Sequence, residues 1–171
     1  MCIRDRVKQM VNLLRPTSGQ ILFNGEPVGT NPQLVPHNVG YMPQSWQAIN
    51  QLTAYEAIYF TSHLRGLTRK AAKAESSRLL DLWGLHHLHN KVGRFFSGGE
   101  RRLLQIAIAM AGSPPVLMLD EPTNELSPQR RRQVWDVLRM LNRSQGTTIV
   151  FITHDALEAE KIIQRVGILD N

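Results

Sequence analysis

The chain has 171 residues, of which 42% are hydrophobic, and it carries a formal net charge of +6 and one cysteine. This length and composition are those of a folded domain rather than a disordered segment, and one cysteine excludes a disulfide framework and a cysteine metal cage. No apolar stretch approaches the roughly 20 residues that span a bilayer, and no signal peptide is visible, so we expect a cytoplasmic protein. The basic residues are scattered without an aromatic platform, so we do not expect nucleic acid as a partner.

The first 45 residues predict two short strands. Residues 21–23 form the first strand, and Asn24 and Gly25 follow it. Both residues tolerate positive φ, which favours a tight turn. Residues 39–42 predict a second strand, which Pro43 stops.

A mostly helical segment is predicted between about residues 50 and 95. Thr53 and Glu56 have the spacing of a capping box, in which each side chain bonds the other residue's backbone N–H, so a helix begins there. Thr68 caps a second helix, and Gly84 ends it.

The second half of the chain alternates strands with helices, which indicates a parallel α/β sheet. Ser97 and Glu100 form another capping box, which opens a helix through about Met110. Residues 116–119 are apolar throughout, as in a parallel strand that is covered on both faces. The other predicted elements are a helix after Ser127 and Pro128, a strand at residues 147–153, a helix at residues 156–163 and a strand at residues 166–169.

An acidic pair, Asp120 and Glu121, follows the apolar strand. In open α/β sheets, ligands bind beyond the carboxyl ends of the strands. Asp120 could hold Mg²⁺ there. Glu121 should point to the other side, because side chains alternate along extended backbone, and it could polarise an attacking water. Taken alone, a surface turn would explain the pair equally well.

Two glycines, Gly98 and Gly99, lie in the first turn of the helix that Ser97 caps. A helix N-terminus offers free N–H groups and partial positive charge, which suit a phosphate. An ordinary capped helix would explain Ser97 and Glu100 without any ligand. It would not explain the glycines, each of which costs about 1 kcal/mol relative to Ala.

Several single residues carry weaker signals. His154 directly follows a predicted strand and could reach a phosphate or orient water, although a lone His there is more often structural. Gln44 follows the strand at residues 39–42 and is uninformative by itself. A group of three histidines consists of His86, His87 and His89; it lacks a carboxylate or Cys partner at ligand spacing and predicts an exposed loop. A basic run follows later at Arg130, Arg131 and Arg132, and it predicts a solvated helix face.

Taken in chain order, these motifs are Gln44, residues 97–100, the pair Asp120 and Glu121, and His154. They resemble the motifs of the ATP-binding subunits of ABC transporters, and the resemblance extends from about residue 7 to residue 171. The resemblance implies an α/β fold with the parallel sheet core of P-loop NTPases and a helical signature subdomain, and it implies ATP and Mg²⁺ as cofactors. It also implies individual roles. Gln44 is the Q-loop residue that touches Mg²⁺, and Asp120 is the Walker B aspartate that holds Mg²⁺. The signature that binds the nucleotide consists of Ser97, Gly98, Gly99 and Glu100. Glu121 is the catalytic glutamate, and His154 is the switch histidine.

Two departures and one further likeness refine this resemblance. In the signature, Phe96 replaces the usual Leu and Glu100 the usual Gln, but Glu100 still completes the capping box. In the segment that resembles the D-loop, Ser127 stands where Asp is usual. Ser is an equally good N-cap, so helix initiation is preserved, and the replacement puts in doubt only the contact that Asp makes across the dimer. Residues 13–19, 124–126 and 130–132 resemble the branch that exports drugs, lipids or polysaccharides.

The P-loop motif G-x-x-x-x-G-K-[ST] is absent from the sequence. In the family it precedes the helix that leads to a segment like residues 13–16, and its place is taken here by residues 1–6, which match nothing in the family. We therefore expect residues 1–6 to be non-native, the fold to be truncated at both ends, and these residues alone to bind no measurable ATP. The expected units are residues 7–49 with 112–171 as parts of the ATPase core, and residues 50–111 as the helical signature subdomain.

The sequence predicts an ATP-hydrolysing, energy-coupling subunit of an ABC transporter, in the exporter branch. The resemblance implies that two copies would sandwich two Mg-ATP and dock on a transmembrane permease through residues 45–65, at the inner face of the cell membrane. One alternative is a soluble ABC-type ATPase without a permease, although Gln44 and Ser97 are only 53 residues apart, which leaves no room for the long coiled-coil insertion of DNA-repair relatives. The other alternative is a degenerate, non-catalytic dimerisation module.

Overall fold

The described part of the chain folds into six α-helices, two short 3-10 helices and five strands. The structure is a computed structural model that describes residues 3–45 and 50–153, with positions 164, 165 and 167. The helices are α1 (Ile3–Met10), α2 (Leu34–Asn38), α3 (Ala54–Leu64), α4 (Arg69–Trp83), α5 (Gly98–Met110) and α6 (Pro128–Gln145). The strands are β1 (Leu22–Phe23), β2 (Glu26–Pro27), β3 (Val39–Met42), β4 (Val116–Asp120) and β5 (Thr148–Ile152).

Strands β3, β4 and β5 form a parallel sheet in that order. Val39 pairs with Val116, which pairs in turn with Thr148. Because the three strands run in one direction, their carboxyl ends meet at one edge of the sheet. The parallel α/β sheet predicted from the sequence is confirmed.

A hairpin formed by β1 and β2 precedes the sheet. Its turn contains Asn24 with φ of 50° and Gly25 with φ of 85°, as the sequence predicts. The hairpin lies over a small apolar cluster that consists of Val11, Val28, Val35 and Val39.

Helices α3, α4 and α5 connect β3 to β4, and each begins at a capping side chain. Thr53 accepts a hydrogen bond from the backbone N–H of Glu56 at 3.2 Å, and the Glu56 carboxylate accepts the N–H of Thr53 at 2.9 Å. Thr68 caps α4, and Gly84 ends it with φ of 64°. The caps predicted for both helices are confirmed.

One apolar core joins these helices to the sheet. Trp83 of α4, Leu104 of α5 and Leu117 of β4 are at most 1% exposed. Burying such a side chain stabilises the fold by about 1.5–3 kcal/mol. Gly40 of β3 lies close to α5, because a Cβ at this position would be 2.0 Å from the carbonyl oxygen of Ala109. Helix α5 therefore rests directly on the backbone of β3.

The prediction of a solvated face at Arg130, Arg131 and Arg132 is wrong for two of the three residues. Arg130 Nη1 donates to the carbonyl oxygen of Trp83 at 3.3 Å, and Arg131 Nε donates to that of Leu126 at 3.1 Å. The last carbonyls of a helix have no partner within the helix, so Arg130 supplies one at the end of α4. Only Arg132 is exposed.

Helix α1 begins at Ile3 and continues to Met10, so residues on both sides of position 7 belong to one helix. The expected units at residues 7–49, 50–111 and 112–171 stay predictions. The predicted helix at residues 156–163 lies outside the described residues. None of the described helices is long and apolar enough to cross a membrane.

Candidate functional site

The acidic pair lies at the carboxyl edge of the sheet. Asp120 is the last residue of β4 and pairs with Ile152 of β5. Asp120 is 3% exposed and Glu121 is 4% exposed. Two carboxylates are thus held together, largely out of water, where open α/β sheets bind ligands.

Glu121 leaves the strand through a left-handed backbone conformation, with φ of 53°. The expectation that it would follow the alternation of an extended strand is therefore wrong. Its N–H donates to the carbonyl oxygen of Ile152 at 2.9 Å, which holds it to the end of β5. A residue with a Cβ pays about 1–2 kcal/mol for this conformation, and such strain concentrates at functional sites.

The electrostatics of the pair favour a cation. Burial raises the pKa of Asp120, the nearby Arg4 lowers it, and the Glu121 charge raises it. Asp120 Oδ1 is buried without a hydrogen-bond partner. Arg4 Nε lies 3.5 Å from Asp120 Oδ2, and Arg4 Nη2 lies 4.0 Å from Glu121 Oε1. The guanidinium of α1 thus neutralises part of the charge of the pair.

The donor set of the pair fits Mg²⁺ bound together with a phosphate. Mg²⁺ is usually held by one or two carboxylates, waters and the phosphates of a substrate. Asp120 Oδ1 offers a bare, buried carboxylate oxygen of this kind. Within the described ranges, no three His, Cys, Asp or Glu side chains converge into a complete metal cage.

The start of α5 is built as the sequence predicts. Ser97 Oγ accepts the N–H of Glu100 at 3.3 Å, and the Glu100 carboxylate accepts the N–H of Ser97 at 2.8 Å. His87 Nε2 lies 3.1 Å from the other oxygen of Glu100. Burial raises the pKa of Glu100, but the hydrogen bonds from Ser97 and His87 outweigh it, and the pKa falls to about 2. Glu100 is thus fixed as an anion in the first turn.

The turn after Glu121 lies beside the paired glycines. A Cβ on Gly98 would lie 2.6 Å from the carboxylate oxygen of Glu125, and one on Gly99 would lie 3.7 Å from Leu126. The turn that follows Glu121 therefore packs against the start of α5. The Glu125 carboxylate is the end of a flexible side chain and 3.7 Å is an ordinary van der Waals contact, so these neighbours do not by themselves require glycine. The contact of the glycines with a nucleotide stays a prediction.

Gln44 lies in an exposed bend two residues beyond the end of β3. Because Met42 pairs with Leu119, the bend stands at the same sheet edge as Asp120. Gln105 of α5 donates from Nε2 to the carbonyl oxygens of Pro43 at 3.3 Å and Ser45 at 3.4 Å. The bend is therefore tied to the helix that begins at the signature-like segment.

The other sequence-predicted site residue, His154, lies outside the described residues, as does Trp46. The three neighbouring histidines make local contacts: His86 pairs with Asp81 at 3.1 Å, His87 with Glu100, and His89 stacks on Tyr55.

Sequence reasoning missed two buried polar residues on α5, Gln105 and Arg102. Burial lowers the pKa of Arg102, whereas the charges of Glu125, Asp120 and Glu121 raise it. Arg102 therefore adds positive charge near the acidic pair. The only available signal was a polar residue at buried positions of an otherwise apolar helix.

The family model described as ABC transporter matches residues 7–124. The chain belongs to the ABC transporter family. ATP binding and ATP hydrolysis are properties of the ABC ATPase domains that this family contains.

Curated relatives of this ABC-family chain include proteins of several transport systems. It is 38% identical over 160 residues to the retinal-specific phospholipid-transporting ATPase ABCA4 of Mus musculus, covering 94% of this chain and 7% of that protein. It is 32% identical to the daunorubicin/doxorubicin resistance ATP-binding protein DrrA of Streptomyces peucetius, covering 96% and 50% respectively. It is 33% identical to the methionine import ATP-binding protein MetN of Cupriavidus pinatubonensis, covering 98% and 50%. The chain thus spans half or less of these relatives.

Solved structures support the same fold. The dimeric structure of a post-hydrolysis state of the ATP-binding cassette MJ0796, bound to ADP and Pi, matches with a TM-score of 0.84 at 22% identity. The match covers 91% of this chain and 71% of that one. At this identity the likeness establishes the ATP-binding cassette fold alone.

Proposed function

We propose that this chain is part of an ATP-hydrolysing subunit that drives an ABC transporter. The observation that carries the proposal is the buried pair of Asp120 and Glu121 at the carboxyl edge of a parallel sheet, with a bare oxygen on Asp120. A carboxylate pair there suits Mg²⁺ and the terminal phosphate of a nucleotide.

The two carboxylates would have separate roles. Asp120, fixed by its strand partners, would hold Mg²⁺ and keep its Oδ1 directed at the ion. Glu121 would accept a hydrogen bond from the attacking water and turn its oxygen towards the phosphate, as a general base does. The left-handed backbone at Glu121 and its bond to Ile152 would keep that carboxylate in place. When bound, Mg²⁺ would neutralise charge on the transferring phosphoryl group.

Further residues would complete the site. Gln44 would reach the metal from the neighbouring strand end, and His154 would orient the water. Ser97, Gly98, Gly99 and Glu100 would meet the nucleotide of a second copy, because a helix start with free N–H groups attracts phosphate. The second copy and its signature are thus part of each proposed site.

A permease partner and attachment to the inner face of the cell membrane belong to the same proposal. On α3, Phe60 is 46% exposed and Leu64 is 79% exposed, one helical turn apart. These apolar side chains lie within residues 45–65, the segment proposed to dock on the permease. We propose export as the direction, which the drug-resistance name of DrrA supports; the name of ABCA4 gives no direction, and that of MetN states import.

One observation favours the degenerate, non-catalytic module instead. Arg4 of α1 lies against both carboxylates, where a cation would otherwise be expected to bind with the nucleotide. We therefore propose that the 171-residue chain by itself neither binds nor hydrolyses ATP, and that activity requires the P-loop sequence of the family.

The test uses the complete reading frame that contains these residues. If the frame contains a P-loop, its product should hydrolyse ATP, and Glu121→Gln should abolish hydrolysis while ATP binding and dimer formation persist. Asp136→Asn is the matched control, because Asp136 pairs with Arg139 on the surface of α6. A frame without the motif, or full hydrolysis by Glu121→Gln, would refute the catalytic proposal.

A further inference from the structure

The side chain of Arg65, which follows α3, ends among five backbone carbonyl oxygens. The acceptors come from two separate parts of the chain: Pro36 (from Nε, 3.1 Å) and Val39 (from Nη2, 3.3 Å) near the start of β3, and Ile108 (3.4 Å), Ala109 (2.9 Å) and Ala111, all from Nη1, at the end of α5. One guanidinium therefore joins α3, β3 and α5.

At the end of α5, Arg65 supplies a C-terminal cap. The last carbonyls of a helix lack partners within the helix, and they form the negative end of its dipole. Burial lowers the pKa of Arg65 to about 10, so the group is still a cation at neutral pH. A half-buried cation that donates only to carbonyls is stabilised by these dipoles, and losing it would leave several acceptors without a donor.

A second tie holds the opposite end of β3. Arg65 bonds Val39 at the first residue of the strand, and Gln105 of α5 bonds Pro43 just beyond the last. Between the two ties, a Cβ on Gly40 would lie 2.0 Å from the carbonyl oxygen of Ala109. Both ends of strand β3 are thus tied to helix α5, and the backbone of the strand contacts the helix between these ties.

We propose that Arg65 is a positioning residue that holds α5 and β3 as one rigid unit. The unit fixes the offset between Ser97, at the start of α5, and Gln44, after the end of β3. Its functional meaning rests on the proposed function, in which these residues serve two different nucleotides of a dimer. Arg65 would then couple the two nucleotide sites, because Ser97 and Gln44 could not move relative to each other.

A lysine cannot replace this residue. Its ammonium is a single point on a flexible stem, whereas the planar guanidinium has five donors in a fixed fork that reach acceptors on both sides. Arg65→Lys should therefore keep the charge and lose the joint contact with Val39 and Ala109.

The test measures the geometry directly, in the 171-residue chain with Cys2→Ser. Spin labels on the exposed positions Arg94→Cys and Thr148→Cys report the distance between the start of α5 and the sheet. Arg65→Gln should widen the distance distribution by roughly twofold, and Arg65→Lys by less, because local opening becomes independent of the sheet. Arg139→Gln, which loses only an exposed ion pair with Asp136, should leave it unchanged.

An unchanged distribution in a folded Arg65→Gln chain would overturn the proposal. Should that variant unfold, hydrogen exchange of the chain with Arg65 intact decides the question. At increasing sub-denaturing urea, the amides of α5 and β3 should share one opening free energy, and separate openings would overturn the rigid unit. Neither result depends on ATP hydrolysis, so failure of the rigid unit and failure of the proposed function are distinguishable.

Discussion

Arg4 Nε lies 3.5 Å from Oδ2 of Asp120, and the same guanidinium lies 4.0 Å from Glu121. The cation of α1 therefore occupies the place where two carboxylates would attract a divalent ion. The Arg4 side chain is 39% exposed, so its ion pair with Asp120 is partly solvated. A divalent cation could therefore displace Arg4 at a small loss of ion-pair free energy.

Replacing Arg4 should expose this competition. Without the guanidinium, the two buried carboxylates repel each other, so Arg4→Ala should lower the melting temperature and strengthen Mn²⁺ binding by about tenfold. Calorimetric titration with Mn²⁺ measures the affinity. Arg6→Ala, which removes an exposed arginine from the same helix, is the control and should behave as the parent chain. Equal Mn²⁺ affinities of the two variants would contradict the assignment.

The contact between Gly40 and α5 gives a sharp stability prediction. A methyl group at position 40 would meet the backbone oxygen of Ala109, which cannot move without shifting the helix. Gly40→Ala should therefore cost about 3 kcal/mol and lower the melting temperature by roughly 6–12 °C. Gly29→Ala is the matched control, because nothing lies within 4 Å of its Cβ position and its φ is not in the left-handed region. Similar urea midpoints for the two variants would disprove the close packing.

Local signals in the sequence predicted part of this fold well. The caps at Thr53, Thr68 and Ser97 depend on residues three positions away, so short-range rules suffice for them. The apolar run before Asp120 likewise identified a buried parallel strand and the sheet edge where the site lies.

Long-range contacts explain what the sequence did not predict. The acceptors of Arg65 lie 26 to 46 residues away along the chain, and no local pattern marks them. The predicted solvated face is wrong at Arg130 for the same reason, because the carbonyl oxygen of Trp83 that it bonds is 47 residues away along the chain. At Glu121, the alternation rule failed where the strand ends, since a single left-handed residue redirects the side chain.

Glu100 should make stability depend on pH on the acid side. Its pKa falls from 4.5 in the ordinary state to about 2 in the fold, so its contribution is fully present above pH 4.5 and is lost as the pH falls towards 2. Glu100→Gln keeps an acceptor for the Ser97 N–H but removes the charge. Urea unfolding at pH 7, 4.5 and 3 should show a smaller loss of stability on acidification in this variant. Equal losses in both chains would show that Glu100 is not held as an anion.

Ser127 tests whether the cap of α6 and the dimer contact are separable. Its Oγ accepts the N–H of Arg130 at 3.4 Å, so Ser127→Ala should cost about 1 kcal/mol through loss of the N-cap. Ser127→Asp should leave the stability of the chain nearly unchanged, because Asp caps a helix as well as Ser does. In the complete protein we expect Ser127→Asp to strengthen the nucleotide-dependent dimer, since the resemblance of residues 124–128 to the D-loop implies that Asp at position 127 contacts the second copy. Sedimentation with ATP measures this, and a dimer no tighter than that of the parent would mean that position 127 does not meet the second copy.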